Sequence, residues 1–168
     1  MKVRLGRRGD YALRAMISIA RHPTGERRKT RQITDEMALP ERYTTQILAA
    51  LVRSGLLSAL AGRDGGYCLG RPATDISVLD VVEVAEGPIS VDECVLRGGP
   101  CDWVRVCPMH STWSEAQQAL TARLASTSLA DLAALDGEIE ARGHLGPETP
   151  AHPISAERRG VRGDRDLR

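Results

Sequence analysis

Cys94, Cys101 and Cys107 lie within fourteen residues and His110 follows closely, giving the spacing C-x6-C-x5-C-x2-H. Thiolates are soft donors, so three in one short segment select an iron-sulfur cluster or zinc over hard, oxygen-seeking cations. Zinc sites usually present closely paired cysteines, which this segment lacks, and the wider spacing moves the balance toward a cluster. Zinc and a metal-free segment stay open as alternatives. Residues 89–108 hold glycine and proline without clear periodicity, so they read as a loop that a bound metal would order. Cys68, alone between Tyr67 and Leu69, reads as a small packed hydrophobe. His22, His144 and His152 have no partner at useful spacing and read as solvated.

The 168 residues contain no apolar run near the roughly 18 that a membrane span needs, and the N-terminus passes directly from charge into an amphipathic pattern. The expected location is therefore the cytoplasm, with no membrane partner. Thiols stay reduced there, so the cysteines are weighed as ligands rather than as disulfide staples. No nucleophile-base pair or paired carboxylates stand out, and residues 62–66 lack the Lys-Ser/Thr ending of a phosphate-binding loop, so an enzyme is not expected.

The elements that must hold this segment are largely helical. Tyr11, Ala12, Ala15, Met16, Ile19 and Ala20 recur at helical spacing and predict a first helix over residues 10–21, with Arg14 and Arg21 off the apolar stripe. A short helix over 30–37 and a turn at Leu39-Pro40 follow. Pro40 opens a third helix running to about residue 53, with Ile47, Leu48, Leu51 and Val52 as its buried stripe. Two short apolar runs, 56–60 and 67–69, flank Ala61-Gly62-Arg63-Asp64-Gly65-Gly66, a glycine-rich hairpin loop. Ser77 caps a fourth helix that ends at Gly87-Pro88. Trp113, Ala116, Ala119, Leu120 and Leu124 describe a long helix, suited to dimerisation or to an ordinary core role, and residues 128–135 a short one. The fold class is mainly α with a small β-hairpin wing: a winged helix-turn-helix plus a long dimerisation helix. Three parts are expected: residues 1–72 as the DNA-binding domain, 73–137 as the cluster loop and dimerisation helices, and 138–168 as a disordered tail.

Charge separates along the chain. Residues 1–71 hold 14 Lys and Arg against 6 Asp and Glu, a net of +8, whereas residues 72–137 hold 3 against 10, a net of -7. A basic head on an acidic body suits double-stranded DNA, because phosphate attraction needs only one face. The start of the third helix would present Glu41, Arg42, Tyr43, Thr44, Thr45 and Gln46 to the major groove, where Arg pairs with guanine and Gln with adenine. Arg63 in the wing suits a minor groove, while Arg7, Arg8, Arg28, Lys29 and Arg31 suit phosphates.

RLGRRGDYALRAM at the start, GRDGGYCLGRPATDISVLDVVEVAEGP across wing and fourth helix, the three cysteines, and SLADL near the end together resemble the Rrf-two family of winged-helix regulators over residues 4–135. The resemblance implies a homodimer on a palindromic operator, most simply a repressor, whose DNA affinity follows the state of an iron-sulfur cluster responding to iron, redox state or nitric oxide. Cys94, Cys101 and Cys107 match the family's cluster cysteines. His110 resembles the histidine that completes a 2Fe-2S site in one branch. Asp10 resembles the aspartate that the partner subunit supplies to a 4Fe-4S site in another, so the resemblance leaves two candidate fourth ligands. A zinc-stabilised or metal-free regulator without cluster sensing is the alternative function.

Overall fold

The computed structural model describes residues 4–89, 94, 96, 100, 102 and 107–142. Cys101 and the tail beyond residue 142 lie outside the described residues. Helix α1 (Arg7–Ala20) is the central rod. Its Gly9, Ala12 and Ala15 are small enough to let neighbours approach, and it packs against α2 (Thr30–Met37), α3 (Glu41–Arg53), α4 (Val78–Glu86), α6 (Leu129–Ala141) and strand β2 (Gly66–Leu69). Enclosure on several sides buries Arg14, which the apolar stripe had placed outside the core. Only 5% of its surface is exposed, and its Nε donates to Asp10 Oδ1 at 2.9 Å, because a buried guanidinium requires an anionic partner.

Met16 from α1, Ile33 and Met37 from α2, Leu48 and Leu51 from α3, Ile76 and Val81 around α4, and Leu129 from α6 close one hydrophobic cluster. Each fully buried aliphatic side chain of this kind contributes about 1.5–3 kcal/mol. The cluster runs across the boundary expected at residue 72, so head and body share a core.

Between α2 and α3 the chain turns in three residues, 38–40. Ala38 takes a left-handed backbone, φ 51° and ψ 46°, which costs a residue with a Cβ about 1 kcal/mol. Leu39 holds it there by burying its side chain and donating its N–H to the Thr34 carbonyl at 3.0 Å. Pro40 stands one position before the helix rather than inside it.

Strands β1 (Leu57–Leu60) and β2 pair antiparallel, Leu57 opposite Leu69 and Leu60 opposite Gly66. The close turn needs Gly65, where a Cβ would sit 2.2 Å from the Leu60 carbonyl oxygen. Arg28 adds a bridge to the hairpin by exchanging both backbone hydrogen bonds with Tyr67 at 2.8 Å, tying the approach to α2 onto the wing.

Helices α4 and α6 begin alike. Ser77 and Ser128 cap them, each accepting from the N–H of an aspartate three residues on, Asp80 and Asp131, whose carboxylate accepts from the capping serine's N–H. The starts are stitched together by Val78 N–H to Thr127 and Leu129 N–H to Ile76. Helix α5 (His110–Ser126) lies between, packed on α4. Helix α6 extends past the expected end at residue 135 because its last turns are held by Arg21, which binds Asp136 at 3.1 Å and also pairs with Glu140.

Hydrogen bonds from the Ser128 hydroxyl and N–H hold the Asp131 carboxyl below its ordinary value of 3.8, an effect that Arg123 reinforces. The folded state therefore favours the charged form, and that stabilisation is complete above the unfolded value and lost as pH falls through the lowered folded one. Ser128→Ala should lower the urea midpoint at neutral pH, and the gap to the parent protein should narrow as pH drops below 3.8. A gap constant across that range would contradict the carboxylate's role.

Candidate nucleic-acid interface and metal centre

The expected reading surface divides by burial. Glu41, Arg42, Tyr43, Thr45 and Gln46 are exposed at the start of α3. Thr44 is fully buried and donates its hydroxyl to the Pro40 carbonyl at 3.0 Å, so it fixes the helix start and does not face a base. Its place at 44, in step with 47, 48 and 51, was the signal of a core position. Lys29 and Arg31 are exposed at the start of α2, and Arg31 pairs loosely with Asp35 at 3.7 Å. Arg63 is exposed in the hairpin loop.

Arg28 is turned inward, away from the phosphate role expected of it. Its guanidinium binds Glu36 Oε2 at 2.8 Å, and the same oxygen accepts from the Ser18 hydroxyl at 2.6 Å. Arg21 approaches the other oxygen of Glu36 at 3.5 Å, and His22 Nε2 lies 3.7 Å from Oε2. One carboxylate thus joins α1, the 21–28 turn and α2. His22, expected to be solvated, is three-quarters covered and also lies 3.6 Å from Glu26. Sequence reasoning missed Glu36. The available signal was an acid opposite several arginines in the basic head.

A second carboxylate fastens α4 to α1. Glu86 Oε1 accepts the Gly9 N–H at 2.9 Å, and a Cβ at Gly6 or Gly9 would stand 2.7 or 2.6 Å from that oxygen and displace it. An anion at a helix N-terminus is favoured by the helix dipole. Glu86 is the last residue of α4, so this contact sits where the chain leaves for the cysteine segment.

Of the expected metal ligands, Cys94 and Cys107 are half-buried, and Cys101 is outside the described residues. The Cys107 carbonyl accepts the His110 N–H at 3.2 Å, which puts this thiol at the entrance to α5. His110 is the first residue of α5 and half-buried. Asp10 lies in the first turn of α1, engaged by Arg14. Among the described residues no three His, Cys, Asp or Glu side chains converge on one point. The donor chemistry of two half-buried thiols flanking a third fits an iron-sulfur cluster or zinc. Cys68 is buried in β2, as its hydrophobic setting requires.

Short helix, three-residue turn, second helix and two-stranded wing, with polar and basic side chains exposed on the second helix and the loop, define a winged helix-turn-helix DNA-binding protein. A family model described as Rrf2, iron-dependent transcriptional regulator, matches residues 5–135, and the chain belongs to this family of transcription regulators, which are not enzymes. It is 30% identical over 130 residues to the HTH-type transcriptional regulator IscR of Photorhabdus laumondii, covering 77% of this chain and 79% of that protein. The IscR of Xenorhabdus nematophila matches to the same extent. Among solved structures, CymR, the global cysteine regulator of B. subtilis, is 28% identical with a TM-score of 0.67, over 80% of this chain and 98% of that one. T. potens IscR is 29% identical with a TM-score of 0.64, over 87% and 96%. No helix among the described residues is long and apolar enough to cross a membrane.

Glu36→Ala should leave Ser18 and Arg28 without their shared acceptor and destabilise the protein by about 2 kcal/mol. Arg63→Ala, at the exposed wing, should leave stability unchanged. Thermal denaturation of the two variants checks both, and equal midpoints would contradict the role of Glu36.

Proposed function

We propose that this chain is a homodimeric repressor that binds a palindromic double-stranded operator, with an affinity set by an iron-sulfur cluster on Cys94, Cys101 and Cys107. The observation that carries the reading is three thiols in the one segment that joins α4 to α5. The family's description as iron-dependent supports it. His110 is the fourth ligand we favour, because Asp10 already serves as an acceptor for buried Arg14.

On this reading Arg42 and Gln46 meet base edges, Glu41, Tyr43 and Thr45 flank them, and Lys29, Arg31 and Arg63 supply phosphate or minor-groove contacts. Arg28 and Thr44 hold the scaffold behind that surface.

A bound cluster would cross-link the thiolates and carry a charge that changes with redox state. The chain's own residues carry the rest. Glu86 fastens the exit of α4 to the first turn of α1, and α1 packs on both helices of the DNA-reading pair. A change in the order of the cysteine segment is therefore placed to shift the setting of α4 on α1 and, through it, the recognition helices. Each tenfold change in operator affinity requires about 1.4 kcal/mol of difference between the two states.

Dimerisation is assigned to α5. None of its residues is buried within the chain, and Trp113, Ala116, Leu120 and Leu124 form a strip along it, with Leu120 42% exposed. Such a strip needs a partner.

The second reading is a regulator without a cluster, holding zinc or no metal. The similarity to a structure described as a global cysteine regulator favours it.

Anaerobically purified Cys107→Ala should lose visible absorbance and the cluster's mass in native mass spectrometry while remaining folded. Parent protein stripped by chelator should differ from the loaded form in operator mobility shift. Absorbance retained in the variant, or zinc in place of iron and sulfide in the parent, would sink the cluster reading. For the dimer, Leu120→Asp should reduce the light-scattering mass from twice the chain mass toward once, and an unchanged mass would assign the interface elsewhere.

A further inference from the structure

Thr44 fixes the phase of α3, because its side chain is fully buried. At about 100° per residue, Arg42 and Gln46 then fall nearly opposite it, at the centre of the solvent-facing side. Tyr43 and Thr45 fall on the two flanks. The Tyr43 flank faces α1, where its ring meets Tyr11 edge-to-face, centroids 5.8 Å apart and planes at 84°. Tyr11 is packed against the hydrophobic core, so its position is set from inside the protein. Tyr43 remains 38% exposed. A large aromatic ring is thus held in one direction at the edge of the reading surface, beside its centre rather than on it.

We propose that Tyr11 is a positioning residue that sets the Tyr43 side chain, and that Tyr43 binds the sugar-phosphate backbone at the lip of the major groove through its hydroxyl. The inference rests on the operator-binding reading above. A groove floor is reached from the centre of an inserted helix, and its lips, where phosphates run, from the flanks. A phenol hydroxyl donates well to a phosphate oxygen, and its two-torsion side chain loses little freedom on binding. The edge-to-face contact restricts that freedom before DNA arrives. Fixing the lip also fixes how deep Arg42 and Gln46 reach, so Tyr43 governs register without reading sequence.

A neutral donor differs measurably from a basic one. Losing Lys or Arg at a phosphate flattens the dependence of affinity on salt, because fewer counterions are released, whereas losing a hydroxyl lowers affinity and leaves the slope alone.

The test uses the full chain and duplexes that the parent protein selects from a randomised library, compared across a salt series. Tyr43→Phe keeps the ring pair and should bind each selected duplex about tenfold more weakly, with the same salt slope and the same ranking of sequences. Tyr11→Phe should bind like the parent. Tyr11→Leu should weaken binding, and adding it to Tyr43→Phe should cost little more, since both act through one contact. Thermal midpoints of the two Phe variants should match the parent, which separates binding from folding. Parental affinity in Tyr43→Phe, or a changed sequence ranking, overturns the phosphate assignment. Additive losses from Tyr11→Leu and Tyr43→Phe overturn the positioning role. A parent protein that selects no duplex overturns the operator-binding reading itself, which the variants alone would not do.

Discussion

The enclosure of α1 is the constraint on which the rest of the structure depends. A helix touched by three helices of the head and body, by α6 and by the wing needs small residues where backbones come close, and Gly9, Ala12 and Ala15 supply them. The same crowding strands polar side chains. Ser18 and Arg14 are buried on α1, and each is tolerated because a carboxylate reaches it, Glu36 for the first and Asp10 for the second. Leaving such a group without its partner costs more than the bond itself contributes, so these acids hold the geometry more by penalty than by attraction.

Much of the fold was legible because local and tertiary signals agree. The second helix falls on residues 30–37 as its pattern predicts, the third and fourth begin at proline and serine signals, and the hairpin glycines mark the wing. Disagreement arose where tertiary contact overrode local preference. Gly137 marks a stop by propensity, at about 1 kcal/mol against alanine, yet α6 continues to Ala141 because Arg21 grips its last turns. Arg28 illustrates a different limit: a basic run shows that charge is present but not which way each side chain turns, and one of its members was needed inside. The candidate metal centre was legible only as a donor set. Spacing along the chain names the thiols, whereas their mutual geometry depends on a segment that local patterning does not specify.

The charge division along the sequence is partly consumed within the fold. Acids from the second half meet bases of the first at Arg21 with Asp136 and at Arg71 with Asp80, and Glu86 meets the N-terminus of α1. Net charge by segment therefore overstates the field that DNA would meet. The outward bases include Lys29, Arg31, Arg42 and Arg63, spread over α2, α3 and the wing. Three elements presenting cations in fixed relation define an orientation, which a diffuse basic surface does not.

The left-handed Ala38 turn limits how the reading head adapts. Three residues join α2 to α3, one in a strained backbone, with Leu39 buried and Thr44 bonded back to Pro40. Such a joint has no slack with which to vary the angle between the two helices from one DNA site to another. Accommodation to different sites then falls to side-chain rotamers and to the DNA, whose bending and groove width depend on sequence. Discrimination by this head would accordingly extend to base pairs it never touches.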